Sequence, residues 1–262
     1  MYKNRALISF PGYCKLQCKH CYTFSKECTL GLLNDDDECD KLINSIDNSA
    51  DIVYISHDRE NFLDEQAGLK LVKGIFNKKR KSIFIITRCM LSDNCINELS
   101  LINEEMNDFG LSLIVAVSIP ALESYGLLEQ KDIISTPIER IGVIKRLYSY
   151  GIHTILMVRP LLPDSIIPTE EALRIIDLSY NFIDAVVSSG LAVNDTIINR
   201  LGLAESSFKY MNGSNAEFLI GAEIPDISYV DTEAEISTIA DYCKSKNIRF
   251  YRHSLDAING II

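Results

Sequence analysis

Cys14, Cys18 and Cys21 are spaced Cys-x3-Cys-x2-Cys in the stretch Pro11-Gly12-Tyr13-Cys14-Lys15-Leu16-Gln17-Cys18-Lys19-His20-Cys21-Tyr22. Three thiolates on one short loop can each bind an iron of a [4Fe–4S] cluster. The fourth iron then has no protein ligand, and such an open position is what a substrate or cofactor needs. A second reading joins the same thiols to His20 or Cys28 as the closed ligands of a structural zinc. Zinc sites of that kind usually show two paired knuckles, and the second is missing here. A plain core role suits the three poorly, because Lys15, Gln17 and Lys19 lie among them.

These thiols need elements to position them. Apolar runs at 6–10, 52–56, 82–87, 111–119, 152–159 and 183–188 alternate with helix-like segments. Most are near-continuous, the pattern of parallel strands buried on both faces. The Cys loop thus follows the first strand, and parallel α/β barrels place their chemistry at the C-terminal ends of the strands. Thr136-Pro137-Ile138-Glu139 reads as a capping box with Pro at the first helical position. Ile141, Ile144 and Tyr148 continue it as an apolar face, and Gly151 ends it. Ser92 or Asp93 caps a helix with Ile96, Leu99, Ile102 and Met106 on one face. Asp231 caps another, with Ile236, Ile239, Ala240 and Cys243. Glu170 and Glu171 follow Thr169 at the positive end of a further helix.

Six βα units in a row predict an α/β fold with right-handed crossovers, an open partial TIM barrel of the (β/α)6 kind. A short C-terminal helix-strand extension follows from about Ile224, its strand at 248–253 closing one edge of the sheet. The expectation is a single domain, with a barrel over 1–223 and the extension over 224–262. Residues 212–215 are the most loop-like stretch.

Composition sets the outer bounds. The 262 residues are 47% hydrophobic and 24% charged, enough for a sizeable core and unlike a disordered chain. No apolar run reaches the ~18 residues of a membrane span. The first apolar segment is too short for a signal peptide. Twenty-six basic residues stand against 36 acidic ones, a net charge of −10 that disfavours nucleic acid. The basic run Lys78-Lys79-Arg80-Lys81 reads as a solvated loop between a helix and a strand. Eight Cys without a secretion signal point to metal or redox chemistry rather than disulfides.

Placed after the first strand, the Cys loop resembles the signature of the radical S-adenosylmethionine (SAM) superfamily. The resemblance extends over roughly 6–189 in strand order. It implies that Cys14, Cys18 and Cys21 hold a [4Fe–4S] cluster whose open iron binds SAM through its amino and carboxylate groups. One-electron cleavage then gives methionine and a 5′-deoxyadenosyl radical, which abstracts hydrogen from a substrate. Residues 83–88 with the capped helix after them, Val115-Ala116-Val117-Ser118, Thr136-Pro137 with Arg140, and Val158-Arg159-Pro160-Leu161-Leu162-Pro163 are similar to the spore photoproduct lyase-like branch. By that likeness Arg88 suits the SAM carboxylate, Ser118 and Arg159 help hold SAM at their strand ends, and His20 packs near the adenine. Many members carry Gly-Gly-Glu after the second strand for the SAM amino group. This chain has Ser56-His57-Asp58, so Ser56 or His57 is the expected acceptor and Asp58 the alternative. The lyase places a hydrogen-donating Cys just after that strand, and this stretch has none. Photoproduct repair is therefore not expected.

Cys89 follows Arg88 and should face the active-site end, as a hydrogen donor, a ligand of a second site, or a small buried thiol. Cys243 is expected in the core. Cys28 and Cys39 flank an acidic loop, and neither they nor Cys95 have an assigned role. Tyr22 is expected either to shield the cluster or, preferably, to pack beneath it. Arg252-His253 is either a surface pair or, at the barrel mouth, a seat for a substrate carboxylate or phosphate. The resemblance implies a cytoplasmic enzyme, an oxidoreductase or lyase, served by a reductant such as flavodoxin or ferredoxin. A peptide in natural-product maturation, brought by a presenting protein, is the first substrate reading; a small metabolite or a nucleic acid is the alternative. A non-catalytic zinc or Fe–S module is the reading from a different class.

Overall fold

A computed structural model describes residues 1–9, 14–22, 36–211 and 227–262. Tyr13, Cys28, the loop at 212–215 and the end of the first predicted strand lie outside the described residues. In chain order the elements are β1 (Arg5–Ile8), α1 (Asp36–Asn44), β2 (Ile52–Ile55), α2 (Glu65–Lys79), β3 (Ser82–Thr87) and α3 (Asp93–Asp108). They continue with β4 (Leu113–Ser118), α4 (Tyr125–Leu128), α5 (Pro137–Ser149), β5 (His153–Leu161), α6 (Thr169–Ser179), β6 (Ala185–Gly190) and β7 (Ala192–Val193). Last come α7 (Asp195–Leu201), β8 (Ser228–Tyr229), α8 (Glu233–Ser245), β9 (Arg249–Tyr251) and α9 (Ser254–Ile261).

Seven strands form one sheet in the order β1-β2-β3-β4-β5-β6-β9, with every neighbouring pair parallel. The sheet is open, a partial barrel with β1 and β9 at its edges. The predicted C-terminal strand is therefore a seventh parallel strand laid against β6. A small antiparallel pair, β7 with β8, stands apart from this sheet.

Strand alternation separates two cores. Val53, Ile83, Ile85, Val115, Val117, Leu156 and Val158 face the surrounding helices. On the inner face Ile52, Tyr54, Phe84, Ile86, Ile114, Ala116, Ile155, Met157, Ala185 and Val187 form a second apolar layer. Ala257 and Ile258 of α9 cover it, and Asn259 fixes that helix to Tyr2 through hydrogen bonds of 2.7 and 3.0 Å. Each such Ile or Val contributes roughly 1.5–3 kcal/mol on burial. The sequence reading included the helix before β9 but not α9.

The capping signals act as read at two helices. Thr136 and Glu139 form the reciprocal box of α5, and Ser92 accepts from Cys95 N at the start of α3. Gly151 follows α5 with φ +71°, a conformation free of strain only for glycine. Three details differ. Leu147, not Tyr148, completes the buried face of α5; Tyr148 is exposed and meets Phe182 edge-on. Thr232 takes the N-cap of α8, while Asp231 accepts from Glu233 N at 3.2 Å. The basic run is a helix end rather than a loop. Lys78 and Lys79 lie in the last turn of α2, and the Arg80 guanidinium stacks 4.4 and 4.3 Å from the rings of Phe76 and Phe109. Among the described residues no helix is long and apolar enough to cross a membrane.

Candidate functional site

Ser118 ends β4 and Arg159 lies near the end of β5, both on the inner face of the sheet with Ala116 and Met157. Arg88 stands one residue beyond β3. The Cys loop follows β1 at the same C-terminal end, where alternation and crossover handedness converge the strand termini.

The three thiols come together. Cys14 and Cys21 pack with buried Cys18 around Leu16 and Ile134. Cys14 feels the charge of Cys21, and Cys18 feels the charges of both Cys21 and Cys14. The backbone N–H groups of Glu60 and Leu16 donate to the Cys14 sulfur. Neighbouring elements fasten the loop. Lys19 N donates to Leu128 O at 2.8 Å, Lys19 Nζ to Gly126 O at 3.0 Å, and Arg200 Nη2 to Cys21 O at 2.9 Å. Thus α4 holds one side of the loop and α7 the other.

Burial raises the Cys14 thiol and pushes Cys18 up to about 12, while the Arg88 guanidinium pulls Cys18 the other way. Iron binding deprotonates such thiols outright, and the guanidinium beside them offsets the charge of the thiolates. Three soft sulfur donors, two backbone N–H groups on one of them and a cation alongside fit a [4Fe–4S] cluster. Among the described residues no three His, Cys, Asp or Glu surround one point as ligands of a single ion would. A cube of irons and sulfides spreads its ligands more widely than one zinc does.

His20 lies inside this arrangement. Its Nδ1 meets Leu128 O at 3.1 Å, and a carbonyl only accepts, so the proton sits on Nδ1. Burial, then the charge of Arg88, lowers its pKa to about 3. The ring is neutral, with Nε2 left as an acceptor.

Two carboxylates that sequence reasoning missed organise the charges. Glu129, just past α4, is fully buried; Arg140 donates to both its oxygens and, through Nη1, to Ser118 O at 2.6 Å. Arg88 Nε lies 3.3 Å from Oε1 of the same carboxylate. Glu60 accepts from Arg88 N at 2.7 Å, Phe62 N at 3.1 Å and Thr87 Oγ1 at 3.1 Å. Burial raises the Glu60 pKa, and the Arg88 backbone bond opposes that rise. Neither Glu stands at a periodic or motif position, and no sequence signal marked either.

The remaining expected residues fall as follows. Ser56 has φ +64°, the left-handed turn that a glycine would take without strain, and its hydroxyl accepts from Asn61 N at 3.0 Å. His57 Nδ1 lies 3.3 Å from Ser9 Oγ and 3.8 Å from Asp58, with its pKa lowered by burial. Ser118 Oγ donates to Arg159 O at 3.3 Å. Tyr22 is near Asp58, Cys21 and Arg159, its pKa raised mainly by burial. Cys89 is buried in the helix-side core and feels Glu60 and Cys14; burial holds its thiol protonated. Cys39, Cys95 and Cys243 are core thiols of the same layer. Arg252 is not directed at a substrate: both its terminal nitrogens bind Glu233 on the surface.

No family model matches the chain, and no curated protein does. Solved structures do. Spore photoproduct lyase, as a double mutant with bound AdoMet and dinucleoside spore photoproduct, matches with a TM-score of 0.64 at 13% identity, over 94% of this chain and 76% of that one. Methylornithine synthase (PylB) matches with a TM-score of 0.54 at 13% identity, over 100% and 86%. Native anSMEcpe with bound AdoMet matches with a TM-score of 0.51 at 11% identity, over 96% and 64%. The chain has the fold of radical SAM enzymes. At these identities the likeness is one of fold, and it includes the lyase-like branch to which the strand-end residues pointed.

Proposed function

We propose that the chain is a radical SAM enzyme. The observation that carries this reading is the convergence of Cys14, Cys18 and Cys21 on the loop after β1, at the C-terminal end of an open parallel sheet. When bound, the cluster supplies one electron to SAM, which yields a 5′-deoxyadenosyl radical able to take hydrogen from a substrate.

The chain's own groups bind and orient. Cys14, Cys18 and Cys21 hold the cluster, and the N–H groups of Leu16 and Glu60 steady the first sulfur. Glu129 pairs with Arg88 at 3.3 Å from its Nε, and the Arg88 guanidinium would bind the SAM carboxylate. His57, neutral through burial, is the better acceptor for the SAM amino group, because the Ser56 hydroxyl already serves Asn61 N. His20, its Nδ1 tied to Leu128 O, would pack near the adenine, and Ser118 and Arg159 would help hold SAM at their strand ends. Cys89 remains in the core behind β3 as a supporting thiol.

A reductant such as flavodoxin or ferredoxin belongs to this reading, as does a reducing cytoplasm. A peptide substrate is preferred over nucleic acid, because a net charge of −10 repels a phosphate backbone. The test is spectroscopic. Anaerobically reconstituted protein is reduced with dithionite and its EPR spectrum recorded with and without SAM. A shift on adding SAM is expected; a full cluster indifferent to SAM, or tight zinc in its place, returns the non-catalytic module.

A further inference from the structure

Each SAM cleaved by the proposed chemistry takes one electron, so a carrier of that electron must come close to the thiols. Cys18 is buried against Leu16 and Ile134, with Cys14, Cys21 and Tyr125 packed around them. Ile134 is buried, but the chain on both sides of it reaches open surface. Ile133 is 52% exposed. The Ser135 hydroxyl accepts from Met90 N at 2.7 Å, and Met90 is 54% exposed. Large apolar side chains left in water around a buried contact mark the centre of an interface.

The charges beside this step are basic. Lys15 is exposed within the cluster loop itself. Lys19 Nζ donates to Gly126 O at 3.0 Å. Lys131 Nζ lies 5.1 Å from the Tyr125 ring centroid, and its stem takes the space that a side chain at Gly126 would need. Both ammonium groups thus stand on the Tyr125-Gly126 turn, whose tyrosine packs against the thiols. Among the described residues none of the three lysines forms an ion pair. The acids of residues 125–139 offset them only in part. Glu129 is buried between two arginines, Glu139 closes its capping box, and Asp132 is exposed. In a chain of net charge −10 this is a local reversal of sign.

We infer that Lys15, Lys19 and Lys131, set around Ile133 and Met90, form the docking surface of an acidic one-electron carrier protein. This rests on the proposed radical SAM activity and names the face at which its electron enters. The reduced carrier loses one electron and the cluster gains it, past Ile134 and Cys18; no bond is made or broken. Opposite charge brings the carrier in and sets its rate of arrival, and the apolar centre holds it. Flavodoxin and ferredoxin both fit, since each is acidic and each passes single electrons.

The test uses cluster-reconstituted protein and flavodoxin. 5′-Deoxyadenosine formation from SAM is measured with limiting reduced flavodoxin and, separately, with dithionite, which is small and needs no docking surface. Lys131→Glu combined with Ile133→Ser should lower the flavodoxin-driven rate tenfold or more and leave the dithionite-driven rate within twofold. Lys244→Glu, the same change of charge in the last turn of α8, should match wild type with both reductants. A melting curve and iron content equal to wild type verify the double variant; should it not fold, Lys131→Gln carries the test. Binding is read independently from the flavin fluorescence of oxidised flavodoxin titrated with the protein. It should be saturable, weaker at high salt, and weakened tenfold or more in the double variant. Absence of binding, no reduction by flavodoxin where dithionite succeeds, equal flavodoxin-driven rates in the double variant and wild type, equal loss in Lys244→Glu, or equal loss with dithionite would each overturn the inference. If flavodoxin binds through these residues but dithionite too yields no 5′-deoxyadenosine, the activity fails and the docking surface stands.

Discussion

Arg140 and Glu129 form an ion pair in which neither side chain is exposed to solvent. The guanidinium also donates to Ser118 O at 2.6 Å, so the pair links α5, the end of β4 and the residue after α4. The preceding residue, Leu128, supplies the carbonyl that holds Lys19 N and His20. One pair thus supports both the strand end and the cluster loop.

Removing one member of such a pair leaves a buried charge alone. Glu129→Gln should destabilise the protein by about 3–5 kcal/mol in urea melts, and Glu129→Leu with Arg140→Met should recover much of it. Similar losses in the single and double variants would show that the pair is not the source of the stability.

Glu171 is buried and accepts the N–H groups of Leu122, Glu123 and Ser124 at 2.7, 2.7 and 3.0 Å, with the Ser124 hydroxyl as a fourth donor. Burial alone would raise its pKa, but these four donors outweigh it and hold the value below the usual 4.5. A depressed carboxylate stabilises the fold above its unfolded pKa and loses that contribution as pH falls through the folded one. Glu171→Ala should cost about 2–3 kcal/mol at pH 7. Below pH ~4 the gap to wild type should narrow. A gap that is constant from pH 7 to pH 3 would contradict this account.

The strands were legible because parallel strands covered on both faces are continuous apolar runs, and 82–87 coincides with β3 in the structure. Thr136 and Ser92 were legible because their donors lie three residues away. Glu129 and Glu60 were not, since each works through partners that only the folded sheet brings near. Arg80 misled for a related reason: its charge suggests solvent, but two phenylalanine rings hold it. At the candidate site the thiol spacing was informative on its own. The pairing of Arg88 with Glu129 and the left-handed turn at Ser56 needed coordinates.

Arg88→Ala should lower SAM-dependent 5′-deoxyadenosine formation tenfold or more and raise the KM for SAM, with iron content kept. Arg88→Lys should recover little, because a point charge lacks the fork that meets both Glu129 and a carboxylate. Wild-type turnover in Arg88→Ala would remove this residue from the SAM site.

Cys89 is buried behind β3 and held as a thiol. Cys89→Ala should keep substrate-free 5′-deoxyadenosine formation within twofold and cost about 1 kcal/mol of stability. Loss of activity with an intact cluster would instead give Cys89 a part in the chemistry.

The central claim is that Cys14, Cys18 and Cys21 make SAM cleavage possible. The direct measurement is 5′-deoxyadenosine produced from SAM and dithionite by anaerobically reconstituted protein, against a variant with all three Cys changed to Ala. Production by the wild type and none by the variant is the predicted result. Equal production by both, or none from a fully loaded wild type whose EPR spectrum also ignores SAM, would contradict it.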